Sequence, residues 1–101
     1  MVPEFNEKFL SYLKGCQEVH DDYIGRHGFT ESQRDELTFK VGRRYVKVIM
    51  GSSVHSFVDM KNGNVLKPAG WSAPAKHPRG NIYDENNGLA GMTFCGPYYL
   101  K

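Results

Sequence analysis

Phe5, Phe9, Tyr12, Leu13, Cys16, Val19, Tyr23 and Ile24 recur at three- and four-residue steps along the start of the chain. That spacing lays one apolar stripe on an α-helix spanning residues 4 to 24. Pro3 suits a first helical turn, and Glu4 and Glu7 suit its positive end. Gly15 weakens the middle, and Gly25 or Gly28 is expected to stop the helix. The polar stretch from Thr30 to Glu36 predicts a loop or a short helical turn.

From Leu37 the period changes to two. Residues 37 to 41 predict a first strand, and Gly42-Arg43 a tight turn. Residues 44 to 50 form a second strand, with Val46, Val48 and Met50 on one face and Tyr45, Lys47 and Ile49 on the other. After a turn at Gly51-Ser52-Ser53, residues 54 to 60 predict a third strand, with Val54, Ser56 and Val58 opposite His55, Phe57 and Asp59. Asn62-Gly63 is a strong hairpin signal, leading into a short fourth strand over residues 65 to 67. Beyond Lys67 the alternation stops. Residues 67 to 81 hold three prolines and no acid, and predict an extended, partly polyproline-like loop. Leu89, Met92, Phe94, Tyr98, Tyr99 and Leu100 make an apolar terminus expected to dock on the body or on a neighbouring subunit.

The expected fold is α+β: an N-terminal amphipathic helix packed on a small antiparallel meander, with a Pro-rich loop and an aromatic C-terminal segment. At 101 residues the chain has room for one domain, residues 1–101, with one modest core. A hydrophobic fraction of 40% argues for a folded chain. No apolar run approaches membrane-spanning length, and the start is unlike a signal peptide. The two cysteines fit no metal or redox spacing and are expected to stay reduced, with Cys16 in the core.

Charge changes the picture. Residues 1 to 36 carry four Lys or Arg against eight Asp or Glu, whereas residues 37 to 83 carry eight cations against Asp59 alone. The formal balance of +2 hides this segregation. Interleaved with the cations are Phe39, Tyr45, Phe57, Trp71 and Tyr83. Cations that meet phosphates, beside rings that stack on bases, are what a single-strand nucleic-acid surface requires. On the strands the candidate binding residues are Lys40, Arg43, Arg44, Tyr45, Lys47 and Phe57, joined by Phe39 if the register allows. In the loop they are Lys67, Trp71, Lys76, His77 and Arg79. The blander reading is a solvated sheet face with ordinary surface cations, and a Trp71 that pins its loop to the core.

Enzyme readings are thin. His20-Asp21-Asp22 occupies consecutive helix positions that do not converge, and reads as polar helix surface. His55-Ser56 lacks a nucleophile elbow and an oriented third residue. No phosphate-binding glycine loop, Cys-pair zinc pattern or calcium loop is present. The chain is therefore expected to be no enzyme and to need no cofactor.

The string Arg44-Tyr45-Val46-Lys47-Val48, then residues 51 to 58, then Lys67-Pro68-Ala69-Gly70-Trp71 and Ala73-Pro74-Ala75-Lys76-His77-Pro78-Arg79-Gly80-Asn81, resembles a family of small phage proteins over roughly residues 37 to 83. The resemblance extends to the single-stranded-DNA-binding cofactor type of phage RNA polymerase. It implies a fold unlike oligonucleotide-binding barrels, and a non-catalytic role in phage transcription or replication in the host cytoplasm. The implied partners are single-stranded DNA and a phage RNA polymerase, with no membrane. Because one short strip covers few nucleotides, a homo-oligomer is expected. Two alternatives stay open: a phage protein-interaction factor that binds or inhibits a host or phage enzyme, and a virion structural protein.

Overall fold

The computed structural model describes residues 3–30, 32 and 34–97. Helix α1 runs Pro3–Arg26 and buries Phe5, Phe9, Tyr12, Cys16, His20 and Ile24 along one stripe. It ends in a left-handed cap: Gly28 sits at φ 71°. The Gly28 N–H donates to the Gly25 carbonyl at 3.4 Å and the Phe29 N–H to the Ile24 carbonyl at 3.2 Å, satisfying carbonyls the helix leaves open. Gly15 has a packing reason, since a Cβ there would collide with the Leu89 side chain.

The helix covers one face of a five-stranded sheet, β1 (Leu37–Val41), β2 (Tyr45–Met50), β3 (Ser53–Asp59), β4 (Asn64–Pro68) and β5 (Pro74–Asn81). The strands lie in sequence order, each antiparallel to the next. The expected α+β architecture is therefore present. Two cross-strand rows decide which face does what. Val41, Val46, Val58, Val65 and Gly80 are successive partners. Val46, Val58 and Val65 of that row join the buried core with Phe5, Phe9 and Tyr12 of the helix. Lys40, Lys47, Phe57, Leu66 and Pro78 form the neighbouring row, whose side chains point to the opposite face because strand side chains alternate.

Three features depart from the sequence expectation. The Pro-rich segment is no free loop: its second half is edge strand β5, and only residues 69 to 73 turn. Prolines are tolerated there because an edge strand leaves one side of its backbone unpaired. Second, a bulge opposite Val48 and Ile49 makes His55 an extra residue in β3. His55 and Ser56 are both buried, and the extra residue breaks the strict alternation of faces expected along β3. Third, His20 is core rather than polar surface. Its Nε2 accepts the Asp35 N–H at 3.1 Å. That fixes the tautomer, so Nδ1–H donates to the Phe94 carbonyl at 2.9 Å.

A small second sheet, β6 (Met92–Thr93) and β7 (Gly96–Pro97), docks the C-terminal segment as expected. Leu89 and Met92 pack against the core, and Phe94 stacks on Tyr23 with centroids 3.9 Å apart. Gly96 approaches so closely that a Cβ would lie 2.5 Å from the His55 carbonyl oxygen. Tyr98, Tyr99 and Leu100 fall outside the described residues, as do Glu31 and Gln33 of the polar stretch. Among the described residues no helix is long and apolar enough to cross a membrane.

Candidate nucleic-acid interface

The sheet face away from the helix carries the basic and aromatic residues. Lys40 of β1 and Lys47 of β2 are direct cross-strand partners. Like charges placed opposite each other on one face repel. Next in the row is Phe57, then Leu66. Both point away from the helix, yet they are only 3% and 6% exposed. The β4–β5 turn folds back towards Phe57, with Ser72 in the same groove wall, while Leu66 shares a depression with Pro74, Ala75 and Pro78 of β5. The Ala69 and Gly70 N–H groups both donate to the Ala73 carbonyl, at 2.9 and 3.2 Å. Closed in this way, the turn carries Trp71 over to β2, where Lys47 Nζ lies 4.4 Å from the Trp71 ring centroid and 6.0 Å from that of Phe57.

Trp71 is 54% exposed, so it rests on Lys47 as a tethered platform and does not pin the turn into the core. Phe57 is the reverse. Burial removes its ring from any base, and its part is to floor the groove and hold Tyr45 edge-on, with centroids 6.1 Å apart. Phe39 turns to the helix side, against Phe9, and leaves the interface altogether.

At the other end of the groove Arg44 is fixed from two sides. Its Nη2 and Nε donate to Asp59 Oδ2 at 2.9 and 3.1 Å, and its guanidinium lies 5.3 Å from the Tyr45 ring centroid. Asp59 is itself buried and accepts the Lys61 N–H through Oδ1 at 2.8 Å. The Asp59 carboxylate holds the Arg44 guanidinium still more firmly charged than usual. Arg44 remains about half exposed, with its side chain at 55%.

These groups enclose a groove of about 340 Å³ lined by Lys40, Val41, Gly42, Arg43, Arg44, Tyr45, Lys47, Phe57 and Ser72. Four of the nine are cations, and no carboxylate lines it among the described residues. A second depression of about 390 Å³ adjoins it through Arg44 and Tyr45 and adds Lys76, with Asp59 in its wall. The fold thus brings together Lys40, Arg43, Arg44, Tyr45, Lys47 and Trp71, with Phe57 beneath and Lys76 beside.

The remaining loop candidates are dispersed. Lys67 lines a separate cavity with His55 and residues 93 to 97. His77 is exposed on edge strand β5 and lines neither depression. Arg79 is the extra residue of a bulge in β5, between Gly80 opposite Val65 and Pro78 opposite Leu66. Sequence reasoning missed Ser72 and the anchoring role of Asp59. The latter had a signal: Asp59 is the lone acid within the basic half of the chain.

Chemistry of the catalytic kind finds little here. His55 is buried, its Nδ1 lies 2.9 Å from Ser56 Oγ, and Ser56 Oγ is 2.7 Å from the Tyr12 hydroxyl. Burial lowers the His55 pKa to about 4. This buried chain ties helix to sheet. Among the described residues no three His, Cys, Asp or Glu side chains gather as a metal site.

No curated protein and no solved structure matches the chain significantly. A family model described only as a family of unknown function, DUF7717, matches residues 4–99. That span includes the helix, the whole sheet and the C-terminal hairpin, and the chain belongs to this family.

Proposed function

We propose that the groove between the β1–β2 hairpin and the Trp71 turn holds a single-stranded nucleic acid, with no bond made or broken. The observation that carries this reading is the set of four cations around a groove that no carboxylate lines among the described residues, with a half-exposed Trp71 resting on Lys47 of its wall. Setting Lys40 against Lys47 costs stability in the free protein, and a phosphate between them relieves the repulsion. Trp71 and Tyr45 offer ring surface beside those cations, which suits unstacked bases and adds on the order of 1–3 kcal/mol per stacked base. Backbone phosphates dominate the affinity, and sequence preference is weak.

The resemblance to small phage proteins directs this reading towards single-stranded DNA, and towards support of phage transcription or replication alongside a phage RNA polymerase. Fluorescence anisotropy with matched single-stranded and duplex oligonucleotides tests it. Tighter binding of the single strand, weakened when Lys40 and Lys47 are both changed to Ala, is the expected result. Equal or tighter binding of duplex refutes the stacking component. Absence of binding to either refutes the whole reading and leaves a protein partner for the basic face.

A further inference from the structure

The depression of about 390 Å³ beside the basic groove has Asp59, Asn62 and Asn64 in its wall and shares Arg44 and Tyr45 with the groove. Asn64 stands on that face because its neighbour Val65 is in the core and strand side chains alternate. Backbone partners fix the orientation of every amide around it. The Tyr83 N–H donates to Asn81 Oδ1 at 2.8 Å. That turns Asn81 Nδ2 to the Asn62 carbonyl at 2.8 Å and to Asn64 Oδ1 at 3.0 Å. The Asn64 N–H in turn donates to Asn62 Oδ1 at 2.9 Å. Both Oδ1 atoms are thereby engaged as acceptors, while the Nδ2 groups of Asn62 and Asn64 bond no protein atom among the described residues. The Asp59 carboxylate is engaged as well, by Arg44 and by the Lys61 N–H, and its side chain is only 4% exposed. The asparagines therefore present donors to the depression. We infer that it receives one base of the bound strand through a keto oxygen, and so favours thymine or guanine over cytosine or adenine.

The inference rests on the nucleic-acid reading and deepens it. Thymine and guanine carry a carbonyl oxygen where cytosine and adenine carry an amino group. A carbonyl there accepts from Asn62 and Asn64. An amino group sets donor against donor and gives up its hydrogen bond to water without a replacement. A phosphate suits the depression less well than the groove, because Asp59 offsets the charge of Arg44 there. No carboxylate lines the groove among the described residues. The two hollows thus divide the strand: phosphates go to the cations of the groove, and one base edge goes to the amide donors. The preference is confined to one position and amounts to about 5-fold, the worth of one net hydrogen bond. Phosphates still dominate the affinity.

Anisotropy titrations with oligo(dT) and oligo(dC) of equal length, at one salt concentration, test it. The wild-type chain is expected to bind oligo(dT) about 5-fold more tightly. Changing Lys40 and Lys47 together to Ala is expected to weaken both and leave their ratio alone. Asn64→Asp keeps the oxygen that accepts from Asn81 and replaces the available donor with an acceptor. Its charge is expected to weaken both complexes, and the exchange of donor for acceptor to bring the ratio to one or below. Asn62→Asp makes the same exchange and retains the hairpin, since Asp-Gly serves a tight turn as well as Asn-Gly. It is expected to lower the ratio likewise. The ratio is read within each variant, so a loss of stability common to both titrations cancels. Equal binding of the two oligonucleotides by the wild-type chain, or tighter binding of oligo(dC), overturns the inference and leaves the nucleic-acid reading in place. So does an unchanged ratio in both Asn variants. Binding to neither oligonucleotide overturns the inference and the nucleic-acid reading together.

Discussion

Replacing Trp71 with Ala separates a binding platform from a structural anchor. The ring is 54% exposed, so just under half of its surface leaves water on folding. For a side chain that buries at most about 250 Å², this is on the order of 100 Å², or about 2–3 kcal/mol at ~25 cal/mol per Å². That figure is a ceiling, because the unfolded chain already hides part of the ring. The Lys47 contact at 4.4 Å adds about 0.5–1 kcal/mol at an exposed site. Trp71→Ala is therefore expected to cost about 1–2 kcal/mol in urea denaturation, short of the 3–5 kcal/mol typical of a buried ring. Its effect on binding is expected to be the larger biological loss: about 1–3 kcal/mol for one stacked base, roughly a 5- to 150-fold weaker Kd. Trp71 is the only tryptophan, so its fluorescence reports the contact directly and should be quenched when a single-stranded oligonucleotide is added. A stability loss above about 3 kcal/mol, or an unchanged Kd with unquenched emission, would refute the reasoning.

Two further outcomes follow from buried groups. His55 titrates at about 4 in the fold against 6.5 when free, so protons favour the unfolded chain; stability should hold above pH 6.5 and fall by about 3 kcal/mol towards pH 4. His55→Asn should flatten that slope in pH-dependent urea titrations, and an equally steep slope in the variant would assign it to other groups. Burial pushes the Cys16 thiol up to about 12 while Cys95 is exposed, so a thiol reagent should label Cys95 alone in the native protein and both after denaturation. Rapid native labelling of Cys16 would contradict its place in the core.

Legibility in the sequence followed periodicity. The helix declared itself because every turn contributes an apolar residue, and the four-residue series Tyr12, Cys16, His20, Ile24 also held the clue that His20 is buried. Its neighbours Asp21 and Asp22 drew it into a polar reading instead. Strands β1 to β4 declared themselves by alternation and by Asn62-Gly63, where Gly63 takes φ 81°. Strand β5 was hidden because its prolines carry the signature of a loop, and whether they sit on a sheet edge depends on tertiary pairing. The bulge at His55 was hidden for the same reason, being a property of two strands together. Of the candidate site, the β1–β2 cations were legible because strand alternation places Lys40 and Lys47 on one face once the hairpin is drawn. The fate of Phe57 and Trp71 was not. It depends on how far the β4–β5 turn folds back, and that reach sets Trp71 on Lys47 while Phe57 stays buried.

The most direct test of the central claim is the salt dependence of single-strand binding. Lys40, Arg43, Lys47 and Lys76 reach the groove and its adjoining depression without, among the described residues, the close carboxylate partner that Arg44 has in Asp59. Four phosphate contacts at about −0.7 each give a slope of roughly −3 for log affinity against log salt. The account predicts that slope for the wild-type chain. It predicts a value about half as steep after Lys40 and Lys47 are both changed to Ala. Binding that is insensitive to salt, or a double variant with the wild-type slope, would contradict it.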